Sequence, residues 1–259
     1  MATCYRHPNR ETGVSCSNCG NPICPECMTP TPVGMRCPNC ARQRTPTRTL
    51  RSMQVEPIAT YVLIAINIAI FIGVRGSIQT GDQLVLAGPA VADGDLWRLL
   101  TSGFVHVEFW HIGLNMLSLF WLGRMIEPAL GHVRFVAIYL AALLCGSLGV
   151  LLLEPNSVAY GASGAIFGLL GGVIVMARNR NVDLMQSGLV PILALNLILT
   201  FTVPGIAIGA HLGGLVGGLV VTYVVEELAR RRGNSMVPAV AFCAVVSVAA
   251  VVGSMFVAS

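Results

Sequence analysis

Hydrophobic and polar residues fall in blocks along this chain rather than in alternation. Residues 1–41 are polar and punctuated by cysteine, proline and glycine, and residues 42–56 form a linker bearing Arg42, Arg44, Arg48 and Arg51. From residue 57 onward, apolar stretches of spanning length follow one another. A helix needs ~20 residues to cross the hydrocarbon core of a bilayer. Seven stretches read this way, at 58–74, 109–126, 133–153, 161–177, 184–203, 206–225 and 236–257, separated by linkers carrying Pro, Gly, Asn or charge. Open strands are excluded, because lipid offers no partner for unpaired backbone groups. The pattern predicts an all-α polytopic membrane protein. One connection is different: residues 75–108 are long, mixed in character and carry Asp82, Asp93 and Asp95. A loop of that length is usually functional or has structure of its own.

Composition supports the membrane reading and excludes an ordinary soluble domain. The chain is 54% hydrophobic and 11% charged, against roughly 25% charged for soluble proteins, and its mean hydropathy is +0.73. The net charge of +4 matters less than its placement. All 16 basic residues are arginine. With the N-terminus inside and the spans alternating, fourteen of them face inward, and only Arg75 and Arg98 face outward. This positive-inside bias predicts a cytoplasmic N-terminus, an external C-terminus, and external placement of residues 75–108 and of the turns at 154–160 and 203–205. The setting expected is a bacterial plasma membrane. The polar, cysteine-rich N-terminus lacks the features of a cleavable signal peptide, so the first apolar stretch is expected to act as an internal anchor.

Seven of the nine cysteines lie in the first 40 residues. Cys145 and Cys243 sit alone in apolar stretches and read as buried spectators. The N-terminal residues form four pairs, Cys4-x2-His7, Cys16-x2-Cys19, Cys24-x2-Cys27 and Cys37-x2-Cys40. Eight thiolate and imidazole donors at this spacing match two tetrahedral zinc sites. A disulfide framework is disfavoured by the odd cysteine count and the reducing compartment. So short a domain buries little core, so metal is expected to supply most of its folding energy. Spacing alone leaves sequential and cross-braced pairing open. The order resembles zinc-ribbon, treble-clef or B-box-like fingers, and that resemblance implies Cys4, His7, Cys24 and Cys27 on one ion and Cys16, Cys19, Cys37 and Cys40 on the other. A cytoplasmic protein partner, regulation of the membrane domain and an inert cap are all open as roles. Nucleic acid is not expected, for want of an aromatic-plus-basic face.

Polar groups inside spans are costly and mark functional positions. Ser163 lies in Tyr160-Gly-Ala-Ser-Gly-Ala-Ile-Phe167-Gly168, where flanking glycines leave room for a substrate backbone. By itself this run reads better as a small-residue packing stripe. His211 lies in Gly209-Ala-His-Leu-Gly-Gly214, extended by Gly218. It suits either a general base or a hydrogen-bonded structural histidine. His111 and Asn115 are spaced i, i+4 on one helix face, and both side chains donate hydrogen bonds, as an oxyanion requires. Trp97-Arg98 and Phe104-Val-His106 lie in the long loop, where Trp and Arg also serve as interfacial anchors. In the predicted topology, Ser163, His211, His111 and Asn115 all fall near the external ends of their spans, at one depth.

Together, GxSG on the fourth span (Gly161, Ser163, Gly164), AHxxG on the sixth, HxxxN on the second and a WR loop after the first resemble the rhomboid family of intramembrane serine proteases. The resemblance covers roughly residues 57–230 and implies a six-helix bundle plus one C-terminal helix. It implies Ser163 as nucleophile, His211 as general base and then acid, and an oxyanion hole of His111, Asn115 and the Ser163 N–H. Phe167 would stack on the imidazole, at a position often held by tyrosine in the family. Trp97 and Arg98 would structure the loop, Glu127 would be a structural acid, and Gly214 and Gly218 would pack the sixth helix on the fourth. The expected organisation is a zinc domain at 1–41, a linker at 42–56, the rhomboid core at 57–230 and a seventh helix at 231–259. No catalytic cofactor is implied. The expected partners are the bilayer and transmembrane substrates with helix-weakening residues. The competing readings are a catalytically inactive rhomboid-like scaffold and a polytopic transporter with a zinc-binding regulatory domain. The transporter is disfavoured by polar groups gathered near one face and by the lack of an inverted repeat.

Overall fold

The computed structural model describes residues 2–42, 55–182, 206–231 and 235–259, with single helical positions at 190, 194 and 198. Apart from those three positions, the predicted span at 184–203 lies outside the described residues, as do the turn at 203–205 and all but the ends of the 42–56 linker. The chain divides into two compact units, Met1–Met53 and Gln54–Ser259.

The first unit contains two short antiparallel pairs, β1 (Ala2–Thr3) with β2 (Glu11–Thr12) and β3 (Thr29–Thr31) with β4 (Gly34–Arg36). A 3-10 turn at Pro25–Cys27 and the short helix α1 (Pro38–Arg42) complete it. Its buried apolar cluster consists of six cysteines and Ile23, with Tyr5 and Met28 packed alongside. One aliphatic side chain and two partly buried neighbours make no core for a unit of this size, so its cohesion has to come from the sulfur atoms.

The second unit is helical. After α2 (Ile58–Arg75) come short elements: α3 (Ile78–Leu84), β5 (Leu86–Ala87), α4 (Gly88–Ala92), α5 (Arg98–Thr101) and a 3-10 turn at Ser102–Phe104. Then follow α6 (Phe109–Leu130), α7 (His132–Leu153), β6 (Val158–Ala159), α8 (Ser163–Asn179), α9 (Ile208–Arg231) and α10 (Met236–Ala258). Helices α2, α7, α9 and α10 are long and apolar enough to cross a membrane. The 22-residue α6 interrupts its apolar run with His111, Asn115, Arg124 and Glu127. The 17-residue α8 is almost wholly buried from Gly164 to Ala177, which makes it the centre of the bundle.

Six predicted stretches coincide with helices, with shifted ends that have local causes. α8 starts at Ser163 instead of 161 because Gly161 has φ +112°, outside the helical region. α9 continues past 225 to Arg231, where Glu227 pairs with Arg230 and Arg231 one turn on. α6 continues past 126 because the fully buried Glu127 is satisfied. Its carboxylate accepts the Ala59 and Thr60 N–H groups at 2.8 Å each, and the Thr60 hydroxyl at 2.5 Å. It also lies 2.5 Å from His132 Nδ1. The N-terminus of α2 has no side-chain cap of its own, so an acid from another helix meets its orphan donors and its positive dipole end.

Two features hold α8 in place. A Cβ on Gly214 would collide with the Gly164 carbonyl oxygen, and one on Gly218 with the Gly168 carbonyl oxygen, so α8 and α9 touch backbone to backbone. The 76–108 segment is folded and clasped. Arg98 donates to the Asp82 and Val85 carbonyls at 2.7 and 3.0 Å and to Asp95 Oδ2 at 2.9 Å. Trp97 Nε1 donates to Gln83 O at 3.2 Å, and the Thr101 hydroxyl to Leu84 O at 2.8 Å. The pairing Leu86↔Ala159 and Ala87↔Val158 then ties this segment to the turn that leads into α8.

Candidate active site and metal centres

The approach to Ser163 is fixed by backbone hydrogen bonds. Gly161 N–H donates to Ser102 O at 2.9 Å, and Ala162 N–H donates to His106 Nε2 at 3.4 Å. Gly161 is required twice over: its φ is left-handed, and a Cβ there would lie 2.6 Å from His111 Nε2. His106 is fully buried, and its Nδ1 faces Phe104 O at 3.3 Å. That places the proton on Nδ1 and leaves Nε2 as acceptor. Burial, and next the neighbouring His111, push His106 down to about 4. A depressed histidine stabilises the fold above its unfolded value of about 6.5, and that stability drains away as pH falls toward 4. The fall in melting temperature between pH 7 and pH 4.5 is therefore expected to be smaller in His106→Gln than in the wild type, measured by thermal unfolding in detergent.

α9 begins three residues before His211. Glu154, just past the end of α7, accepts the Gly209 N–H at 2.8 Å and so caps the histidine-bearing helix. The His211 imidazole lies flat on the Phe167 ring, with centroids 4.0 Å apart and planes 16° apart. Phe167 is one turn after Ser163, so the stack brings His211 to the face of α8 that bears the serine. Ser163 and His211 both line a cavity of about 340 Å³. His111 and Asn115 line it too, as do Gly161, Gly164 and Phe167. Asn115 Nδ2 donates to His111 O at 2.9 Å, which leaves its second N–H to serve the cavity. His111 Nδ1 lies 3.5 Å from Glu108 Oε2, and the Tyr160 hydroxyl donates to Glu108 Oε1 at 3.3 Å.

Of the residues singled out in the sequence, Trp97, Arg98, Glu127, Gly214 and Gly218 do not line the cavity. They clasp the loop, cap α2 and let α8 and α9 touch. Sequence reasoning passed over Glu108 and Glu154. Each is an isolated acid at the edge of an apolar stretch, three residues before His111 and at the end of α7 respectively, and that isolation is the signal that marks them.

The eight N-terminal donors gather into two clusters, Cys4–His7–Cys24–Cys27 and Cys16–Cys19–Cys37–Cys40, with the ligand atoms of each within 4.8 Å of one another. Pairing is therefore cross-braced. Cys19 and Cys37 sulfurs are 3.9 Å apart, close to the ~3.8 Å edge of a tetrahedron with Zn–S bonds of ~2.3 Å. His7 Nδ1 lies 3.3, 3.5 and 3.9 Å from the Cys24, Cys27 and Cys4 sulfurs, also suited to tetrahedral coordination. Around the second cluster, Cys37 N–H donates to Cys16 Sγ at 3.3 Å and Asn18 Nδ2 to Cys40 Sγ at 3.4 Å. The Cys37 N–H bond draws the Cys16 thiol down to about 6. Burial, followed by crowding from Cys4 and Cys24, pushes Cys27 up to about 11. Crowded thiols of this kind fit a cation that offsets their charge, and the donor chemistry fits zinc. A strong chelator is expected to abolish the folded signal of residues 1–41, read as loss of amide dispersion in that unit, and added Zn²⁺ to restore it.

Comparison with known proteins bears on the second unit. The Rhomboid domain family model matches residues 93–227, just over half of the 259-residue chain. This chain belongs to the rhomboid family. Rhomboid protease GluP of Bacillus subtilis is 37% identical over 172 residues, 63% of this chain and 34% of its own length. A second protein of that organism, the rhomboid homologue YdcA, is 35% identical over 146 residues, 55% of this chain and 73% of its own length. Rhomboid-like protease 1 of Toxoplasma gondii is 36% identical over 138 residues, 50% of this chain and 47% of its own length. The chain thus spans about a third of GluP and under half of the Toxoplasma relative. The family match and the four apolar helices make it an integral membrane protein. Within the rhomboid region lie the serine, both cavity histidines of α6 and α9, and the glycine contacts between α8 and α9.

Proposed function

We propose that this rhomboid protein is an intramembrane serine endopeptidase that cleaves transmembrane segments of other membrane proteins. The observation that carries the reading is the convergence of Ser163 and His211 on one cavity, with His211 stacked on the ring one turn below the serine. The names of the relatives add to it: all three, YdcA's included, contain the word protease.

In this mechanism His211 takes the Ser163 hydroxyl proton as the oxygen attacks the scissile carbonyl carbon. Negative charge then moves to the carbonyl oxygen, and the Ser163 N–H, His111 and the second Asn115 N–H receive it. His211 passes its proton to the departing amine, leaving an acyl-enzyme. Water, deprotonated by His211, hydrolyses that ester and returns the serine. A lipid-embedded helix hides its carbonyls in backbone hydrogen bonds, so substrates with helix-weakening residues are favoured. The arginine distribution supports a cavity open toward the external face and an N-terminal unit in the cytoplasm, where its two donor clusters would hold structural zinc. Residues 57–230 serve as the protease core, and residues 1–41 and 231–259 are additions to it.

The test is covalent labelling by a fluorophosphonate probe. Wild-type protein in detergent is expected to label, and Ser163→Ala is not. A folded wild type that neither labels nor cleaves a transmembrane reporter would point to a scaffold or carrier. Asn115→Ala removes one oxyanion donor and is expected to lower kcat by ~10²–10³-fold with KM little changed. Reporter cleavage kinetics check this.

A further inference from the structure

Resting on the protease reading above, we propose that Glu108, flanked by Trp110 and Tyr160, forms a subsite of the cavity for a basic side chain of the substrate beside the scissile bond. Among the described cavity-lining residues, Glu108 is the only carboxylate, and none is lysine or arginine. Tyr160 stands three residues before Ser163, and Trp110 next to His111, so the subsite adjoins the reacting groups.

The carboxylate has capacity to spare. Ionised, it offers about four acceptor positions. Here Oε1 accepts one long bond, from Tyr160 at 3.3 Å. Oε2 makes no hydrogen bond, and His111 Nδ1 stands 3.5 Å from it. The side chain as a whole is 38% exposed while Oε2 itself is shut off from solvent, so an incoming cation meets the carboxylate at Oε1 or after a turn of the carboxylate about its last bond. The nearby Arg75 is engaged elsewhere: its guanidinium sits over the Phe71 and Phe109 rings, 5.3 and 4.3 Å from their centroids, and donates to Val107 O. The Trp110 side chain is exposed and the Tyr160 ring half-buried. Aromatic faces beside a carboxylate attract an ammonium or guanidinium twice over, by ring quadrupole and by charge. A bound substrate without a donor would strip water from Glu108 and return nothing, so the site discriminates by penalty as well as by attraction.

The experiment uses the full chain in detergent and a set of transmembrane reporters. They carry Arg, Gln, Leu or Glu at each of the three positions on either side of the scissile bond. At one position, kcat/KM for Arg is expected to exceed that for Gln by about tenfold, and for Glu by more. Glu108→Gln should collapse the Arg-to-Gln ratio toward one, and Glu108→Arg should shift the preference to the Glu reporter. Fluorophosphonate labelling of Ser163 in each variant shows that the site is assembled. Equal cleavage of Arg, Gln and Glu reporters by a labelled wild type overturns the subsite, as does an Arg-to-Gln ratio that Glu108→Gln leaves unchanged. A wild type that neither labels nor cleaves instead removes the protease reading, and the subsite with it.

Discussion

The double variant Ser163→Ala/His211→Ala is expected to cleave a membrane reporter no more slowly than either single variant, with each single loss at least about 10⁴-fold. The serine oxygen is a poor nucleophile unless a base takes its proton, and the imidazole has nothing to activate once the hydroxyl is gone. Each group is worth its full effect only while the other is present, so their losses do not add. Single-turnover cleavage by the four proteins at one pH measures this. A double variant slowed by the product of the two single losses, as independent groups would be, or a His211→Ala protein above about one per cent of wild type, would break the dyad. The stack on Phe167 sharpens the expectation. His211 is positioned by a ring on α8 and by the start of α9, so its reach toward the serine depends on how those two helices meet.

Gly218→Leu is expected to prevent a stable bundle, lowering the melting temperature in detergent by more than ten degrees and abolishing activity. Even a Cβ here meets the Gly168 carbonyl oxygen, so the four-carbon side chain must push α9 off α8. Overpacking in a fitted core costs about 1–3 kcal/mol where side chains give way. Here the neighbour is backbone, and relief requires moving a helix. Gly73→Ala is the control, since nothing lies within 4 Å of a Cβ there. That change should leave the melting temperature level or slightly raised, because alanine favours helix by ~1 kcal/mol over glycine. If both variants melt alike, backbone contact between α8 and α9 is not what holds the bundle.

Much of the fold was legible because its signals are strong and local. Each apolar stretch outside 184–203 is a helix, since chain in lipid must satisfy its own backbone. The metal spacing was equally plain, yet spacing alone left the pairing open. Cross-bracing depends on how β1–β2 and β3–β4 fold back, which no pair of cysteines reveals. Ser163, His211, His111 and Asn115 were found by motif, and their meeting in one cavity follows from three helices sharing one depth. Glu108 and Glu154 were not found. Their roles arise between segments 52 and 55 residues apart in sequence, Glu108 with Tyr160 and Glu154 with Gly209, and no local pattern encodes such a partnership. The interior of the 76–108 segment was also hidden. Its clasp consists of side chains reaching carbonyl groups, which have no sequence signature.

The bond from Glu154 to Gly209 links the end of one helix to the first turn of another, two residues ahead of the imidazole. Sliding between those helices would therefore change the height of His211 relative to Ser163 before any helix melts. Heating should silence turnover while helicity is intact, and the gap between the two midpoints would measure how firmly one carboxylate holds the histidine in line.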